Sequence, residues 1–144
     1  MIEPDTIRLL RECDAGVSMG VESIDEVLPY VQNTELKDAL SQCKDKHEEL
    51  KAKLQNLLGR YHDDGKEPTL IAKGMSWMKT KVKLTFDTSD ATIAELMTDG
   101  CNMGVKTLNQ YLNQYKAADE QSKDIAKKLI KLEEDLEKDM QKFL

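Results

Sequence analysis

The second quarter of the chain has the most regular pattern of apolar positions. Between Asn33 and Arg60, apolar residues and one histidine recur in alternating steps of four and three: Leu36, Leu40, Cys43, His47, Leu50, Leu54 and Leu57. This spacing places them on one face of an α helix, and Asn33-Thr34-Glu35 ahead of it is a helix-capping signal. A similar stripe from Leu10 to Val31 predicts a first helix, joined to the second by a short turn near Gln32.

Nearly the same stretch occurs twice, as GVSMGVESIDEVL from Gly16 and as GCNMGVKTLNQYL from Gly100. The match has an offset of 84 residues and continues at an offset of 86 after the turn, so that Leu50 corresponds to Leu136. We interpret the chain as a duplicated helical hairpin, with repeat 1 at about 5–61, a crossover at 62–87 and repeat 2 at about 88–144. Two antiparallel hairpins predict a four-helix bundle.

The crossover begins with a polar stretch, in which Gly65 is expected to end the second helix, and continues as PTLIAKGMSWMKTKVKLTF from Pro68. Its apolar residues have helical spacing, while lysines occupy the other positions. The pattern predicts a short crossover helix along the bundle, with Trp77 beneath it or at its edge. As an alternative, a basic amphipathic segment can contact an acidic partner or a membrane surface.

Composition and charge narrow the function classes. The chain has 144 residues, which favours a single domain, and its net charge is −6 with acids and bases interleaved. Nucleic-acid-binding proteins are usually basic, so nucleic acid is not an expected partner. No secretory signal and no transmembrane segment is expected. Three cysteines do not form a disulfide framework, and we therefore expect a cytoplasmic protein.

Three segments carry a resemblance to a known superfamily: NTELKDALSQCKDKHEEL, GMSWMKTKVKL and ATIAELMTDGCNMGVKTLNQYL. Together with the two hairpins and the long crossover, they resemble the ferritin-like superfamily, closest to small uncharacterised bacterial bundles built from a duplicated hairpin. The resemblance implies an all-α, ferritin-like four-helix bundle with a short crossover helix. It also implies a diiron ligand set, with a carboxylate from each of the first and third helices and an E-x-x-H pair from each of the others.

The chain departs from that ligand set. His47 is preceded three residues earlier by Lys44 instead of a glutamate, and the corresponding pair in the last helix is Ile130 and Glu133. The central inward positions of the first and third helices are Val17 and Cys101. The diiron site is therefore degenerate, and ferroxidase, oxygenase and iron-storage activities are not expected.

Residues at equal distance from a helical turn lie at equal height on antiparallel helices. On that basis Val17, His47, Cys101 and Glu133 form a central layer, with Cys43 one turn from His47. One interpretation is a buried His47–Glu133 hydrogen-bonded pair with no cofactor. The alternative is a single transition-metal ion, zinc or similar, held by His47, Glu133 and a thiolate of Cys101 or Cys43.

The functional expectation follows from what the sequence contains. It has no Ser/His/Asp arrangement, no phosphate-binding glycine loop and no CxxC pair. We expect a non-enzymatic bundle with a structural or protein-binding role, and a metal-binding or redox protein as the alternative. A homodimer through flat helix faces is one candidate assembly, alongside an unknown protein partner.

Overall fold

The computed structural model describes residues 3–63 and 87–144, and the predicted crossover helix with Trp77 lies outside them. The described residues contain four long α helices, two short 3₁₀ turns and no strand, which confirms the all-α, four-helix prediction. Within these ranges none of the helices is both long and apolar enough to cross a membrane. The four helices are α1 (Pro4–Val27), α2 (Thr34–Arg60), α3 (Asp90–Gln114) and α4 (Glu120–Met140).

Side-chain caps fix the start of three helices. The Asn33 side chain accepts hydrogen bonds from the backbone N–H groups of Glu35 and Leu36 at the start of α2. The side chains of Ser89 and Asp119 each accept one such hydrogen bond, at the starts of α3 and α4. Because each cap satisfies backbone donors that the helix itself leaves unpaired, these local contacts define where the three helices begin, and the cap at Asn33 is the one that the sequence predicted.

The end of α2 differs from the prediction. The helix stops at Arg60 rather than at Gly65, and His62 takes a left-handed conformation with φ of 57°. The N–H groups of His62 and Asp63 then bond back to carbonyls of the last helical turn, as in the usual left-handed helix termination. Asp63 is held by Arg11 of α1, whose guanidinium donates to both carboxylate oxygens.

The two hairpins are locked together at both ends of the bundle. At the first end, the Asp90 carboxylate at the start of α3 accepts hydrogen bonds at 3.0 Å from the backbone N–H groups of Gln32 and Asn33, in the α1–α2 turn. At the second end, the Thr6 hydroxyl at the start of α1 accepts one at 2.9 Å from the N–H of Asp119, in the α3–α4 turn. The first helix of each hairpin, α1 or α3, therefore begins beside the turn of the other hairpin.

These contacts set the direction of every helix. Helices α1 and α4 run towards the first end, and α2 and α3 run towards the second end. The chain leaves the second end at Asp63 and re-enters at the first end at Asp87, so the one long connection joins opposite ends of the bundle. Helix α1 packs against α2, α3 and α4, and α4 also packs against α2 and α3.

The apolar core of the described residues is divided into two clusters. The second-end cluster includes Leu10, Val17, Leu54 and Leu129, whereas the first-end cluster includes Ile24, Leu40, Met97, Cys101 and Leu136. Between them lies one stretch in each helix that contributes to neither cluster. Those stretches contain Gly20, His47, Gly104 and Glu133, and they form a central polar layer across the middle of the bundle.

Candidate functional site

An ion pair between α2 and α4 occupies the centre of this polar layer. The Nε2 atom of His47 lies 3.0 Å from Oε1 of Glu133. The His47 side chain is 1% exposed and that of Glu133 is 13% exposed. Charges removed from water to this degree are costly unless they are paired, so each side chain requires the other.

The second ring nitrogen of His47 is also engaged. Its Nδ1 atom lies 2.8 Å from the backbone carbonyl oxygen of Cys43 and 3.5 Å from the Cys43 sulfur, one helical turn earlier. A carbonyl oxygen can only accept, so Nδ1 carries a hydrogen and donates it. The remaining proton of the pair therefore lies between Nε2 and the Glu133 carboxylate.

Electrostatics favour the protonated imidazole. Burial lowers the pKa of His47, but its hydrogen bonds and charge interactions with Cys43 and Glu133 outweigh burial and raise that pKa to about 10. The Cys101 thiol of α3 faces the same carboxylate. Burial, together with the charge of Glu133, raises the pKa of Cys101 well above its usual range, so this thiol stays protonated and donates to the carboxylate.

Two glycines provide the space for this pair. A Cβ atom added to Gly20 of α1 would lie 2.9 Å from both Cδ2 and Nε2 of His47, and one added to Gly104 of α3 would lie 3.4 Å from Oε2 of Glu133. The His47 and Glu133 side chains fill the space beside these glycines, because α1 and α3 present no side chain there.

The predicted metal-site residues come together as a chain of contacts. Cys43 and Glu133 contact opposite nitrogens of the His47 ring, and Cys101 interacts with Glu133. A metal ion needs donors that converge on one point. Within residues 3–63 and 87–144, no group of three or more His, Cys, Asp or Glu side chains is arranged to hold an ion. The mononuclear site stays a prediction that needs a different arrangement of these side chains.

The diiron ligand set does not fit the residues at the remaining positions. Val17 packs in the second-end apolar cluster, and Ile130 is buried in the same cluster. The Lys44 ammonium lies 2.6 Å from the Asp25 carboxylate, towards solvent. Two iron ions need about four carboxylates, and the layer supplies one, which already faces His47.

All three cysteines are buried, as their positions on the apolar stripes predicted, and none of them is in a disulfide. Burial is the main cause that raises the pKa of Cys13, to about 12. A nucleophilic or redox cysteine needs an accessible thiolate. Cys13 and Cys101 have the opposite environment, because both are buried and burial raises the pKa of each thiol.

Sequence reasoning missed a second polar contact in the first hairpin. Asp14 of α1 is buried, at 5% exposure, and its carboxylate lies 3.6 Å from the ammonium of Lys51 on α2. That ammonium also donates to the Ser18 hydroxyl. The available signal was an acid on the α1 stripe between Cys13 and Val17, at the same height as a lysine beside the α2 stripe.

Known proteins offer no guide to this site. Comparison with protein-family models, with curated proteins and with solved structures finds no match to this chain.

Alanine substitutions at three glycines should change the stability of the protein by different amounts. We expect Gly20→Ala to lower the free energy of unfolding by about 1–2 kcal/mol, because its Cβ would collide with a ring held at both nitrogens. Gly104→Ala should be close to neutral, since the end of the Glu133 side chain can shift. Gly100→Ala, which meets nothing within 4 Å, should stabilise by about 0.5–1 kcal/mol through helix propensity. Urea unfolding of the three variants measures this order, and equal effects at Gly20 and Gly100 would contradict it.

Proposed function

We propose that this protein is a ferritin-like bundle with a degenerate diiron site, and that its role is structural or protein-binding rather than enzymatic. Its helix directions support the fold assignment. Two neighbouring antiparallel hairpins joined by one long connection between opposite ends are characteristic of ferritin-like bundles, and the contacts of Asp90 and Thr6 give this chain the same helix directions.

The proposed duplication has support from both hairpins. Thr6 and Asp90 occupy corresponding positions under the 84-residue offset, and each accepts a hydrogen bond from the turn of the opposite hairpin. In the central layer, each hairpin places a glycine of its first helix against a polar residue of its second: Gly20 against His47 and Gly104 against Glu133. A repeated unit accounts for both correspondences.

One observation carries the non-enzymatic role. The polar atoms of the central layer are directed at one another: His47 uses one ring nitrogen for a backbone carbonyl and the other for Glu133, and Cys101 faces the same carboxylate. A site for substrate or metal would direct such groups at a shared open position. This layer instead joins three helices, which is what a structural ion pair does.

Elemental analysis of untagged protein, grown with iron, manganese and zinc supplied, tests the proposal. We expect no stoichiometric metal, and an unchanged thermal midpoint after treatment with a chelator. About two irons per chain would restore the diiron enzyme. About one metal ion per chain, lost in the Glu133→Gln variant, would instead establish the mononuclear site. Light scattering of the same sample reports whether the protein is a dimer.

A further inference from the structure

A groove lined by lysines follows the seam between α2 and α4. It has a volume of about 520 Å³ and opens to solvent. Five lysines line it, and the remaining lining residues are two acids and two leucines: Lys46, Lys53, Lys127, Lys128, Lys131, Glu49, Asp124, Leu50 and Leu132. We infer that this groove docks a short acidic, amphipathic segment of a partner protein, an inference that rests on the proposed protein-binding role.

The charge of the groove is opposite to that of the rest of the protein. Five lysines against two carboxylates give it a net charge of +3, so the remainder of a chain with a total of −6 carries −9. Lys131 is paired with Asp135 at 2.9 Å. In the described part of the chain no ion pair involves Lys46, Lys53, Lys127 or Lys128. These ammonium groups are therefore available to an incoming carboxylate.

The arrangement favours a helical segment. Lys46 and Lys53 are two helical turns apart on α2, a distance of about 10 Å, and Lys128 and Lys131 face them from α4. Leu132 is half-buried and lines the groove beside the lysines, whereas Leu50 is 5% exposed and forms its floor. Two turns of a helix with a leucine stripe flanked by glutamates would place apolar groups over Leu132 and the lysine side-chain stems, and carboxylates beside the ammonium groups.

Other polyanions fit less well. A nucleic acid or an anionic membrane extends beyond the groove and meets the acidic remainder of the protein, which repels it. Glu49 and Asp124 within the groove oppose a continuous row of phosphates. The basic segment 64–86 of this chain has the same sign of charge as the groove, so it is not the expected occupant.

The test uses the full chain and a defined probe, a labelled 16-residue peptide with a leucine stripe flanked by glutamates. We expect saturable binding by fluorescence anisotropy that weakens as salt rises from about 20 mM to about 150 mM. The Lys53→Glu/Lys128→Glu variant should weaken it by at least about tenfold. The Lys37→Glu/Lys106→Glu variant changes the net charge equally at exposed sites outside the groove, and should change binding by less than about twofold.

Each other outcome overturns the inference. No binding by the native protein, equal losses in both variants, or equal binding of a peptide with glutamines in place of glutamates would exclude an acidic occupant of this groove. Tighter binding of inorganic polyphosphate or phosphatidylserine vesicles, lost in the groove variant, would replace the protein segment with a different class of ligand. If the protein contains no metal and does not bind the peptide, the docking inference is wrong and the proposed structural or protein-binding role is unaffected. If it contains stoichiometric metal and still binds the peptide, the proposed non-enzymatic role is wrong and the docking inference is unaffected.

Discussion

Replacing His47 with leucine should destabilise the fold by about 3 kcal/mol at pH 7. The substitution leaves the Glu133 carboxylate, 13% exposed, without its partner, and removing one member of a buried pair costs about 3–5 kcal/mol. The loss of unfolding free energy cannot exceed about 4 kcal/mol, because that is the cost of protonating a glutamate at pH 7 and a neutral carboxyl group no longer needs a charged partner. Urea unfolding followed by circular dichroism measures the loss.

Removal of the other partner should cost less. In Glu133→Leu, His47 can release its extra proton at pH 7 with little cost, and its Nδ1 keeps the hydrogen bond to the Cys43 carbonyl. Only Nε2 is left unpaired, which we expect to cost about 1–2 kcal/mol. The double variant His47→Leu/Glu133→Leu should recover most of the larger loss, because a well-packed apolar pair often replaces a buried ion pair without penalty.

A double-mutant cycle measures the coupling free energy between positions 47 and 133. A favourable coupling of about 2 kcal/mol or more between the two positions is expected. His62→Asn provides a control, since it removes the exposed histidine at a left-handed position that asparagine tolerates, and it should change stability little. A silent His47→Leu variant, or losses that simply add in the double variant, would mean that the pair does not stabilise the layer.

The sequence predicted the features that depend on neighbouring residues or on simple helical geometry. The cap at Asn33 is local, so the residue types around it indicate it directly. The proximity of His47 and Glu133 follows from their equal distance to the two turns and from their corresponding positions in the hairpins. The stripe containing Cys43 and His47 is buried as its period required.

The features that sequence reasoning missed depend on contacts between distant segments. The His47 ring fills the space beside Gly20, a contact that only the packed structure shows. Asp90 caps the turn of the other hairpin, a contact that no local pattern reports. Met103 matches Met19 in the repeat but is 68% exposed, because sequence correspondence between hairpins does not require equal burial.

Stability should fall as pH rises above neutrality, and the central pair is the cause. The pKa of His47 is raised in the folded state, to about 10, above its value of about 6.5 in the unfolded chain. The folded state therefore holds an additional proton between these pH values. Its contribution is complete below about pH 6.5 and is lost as pH rises through the raised pKa, at up to about 1.4 kcal/mol per pH unit.

The neighbours of His47 do not change the sign of this effect. Nδ1 donates its own hydrogen to the Cys43 carbonyl, so the additional proton is on Nε2, which donates it to Glu133. Gly20 of α1 brings no charge, and the Cys101 thiol of α3 stays protonated because burial and Glu133 raise its pKa. None of these neighbours reverses the proton uptake of the pair.

We therefore expect the native protein to lose about 2–3 kcal/mol of unfolding free energy between pH 6 and pH 8.5 relative to the His47→Leu/Glu133→Leu variant. The comparison stays below about pH 8.5, where thiols of the unfolded chain begin to ionise, because the raised pKa values of Cys13 and Cys101 also reduce stability above it. Urea unfolding at several pH values measures both proteins. Parallel pH curves would show that the proton of the pair is not retained on folding, whereas a difference that grows with pH identifies the central layer as its location.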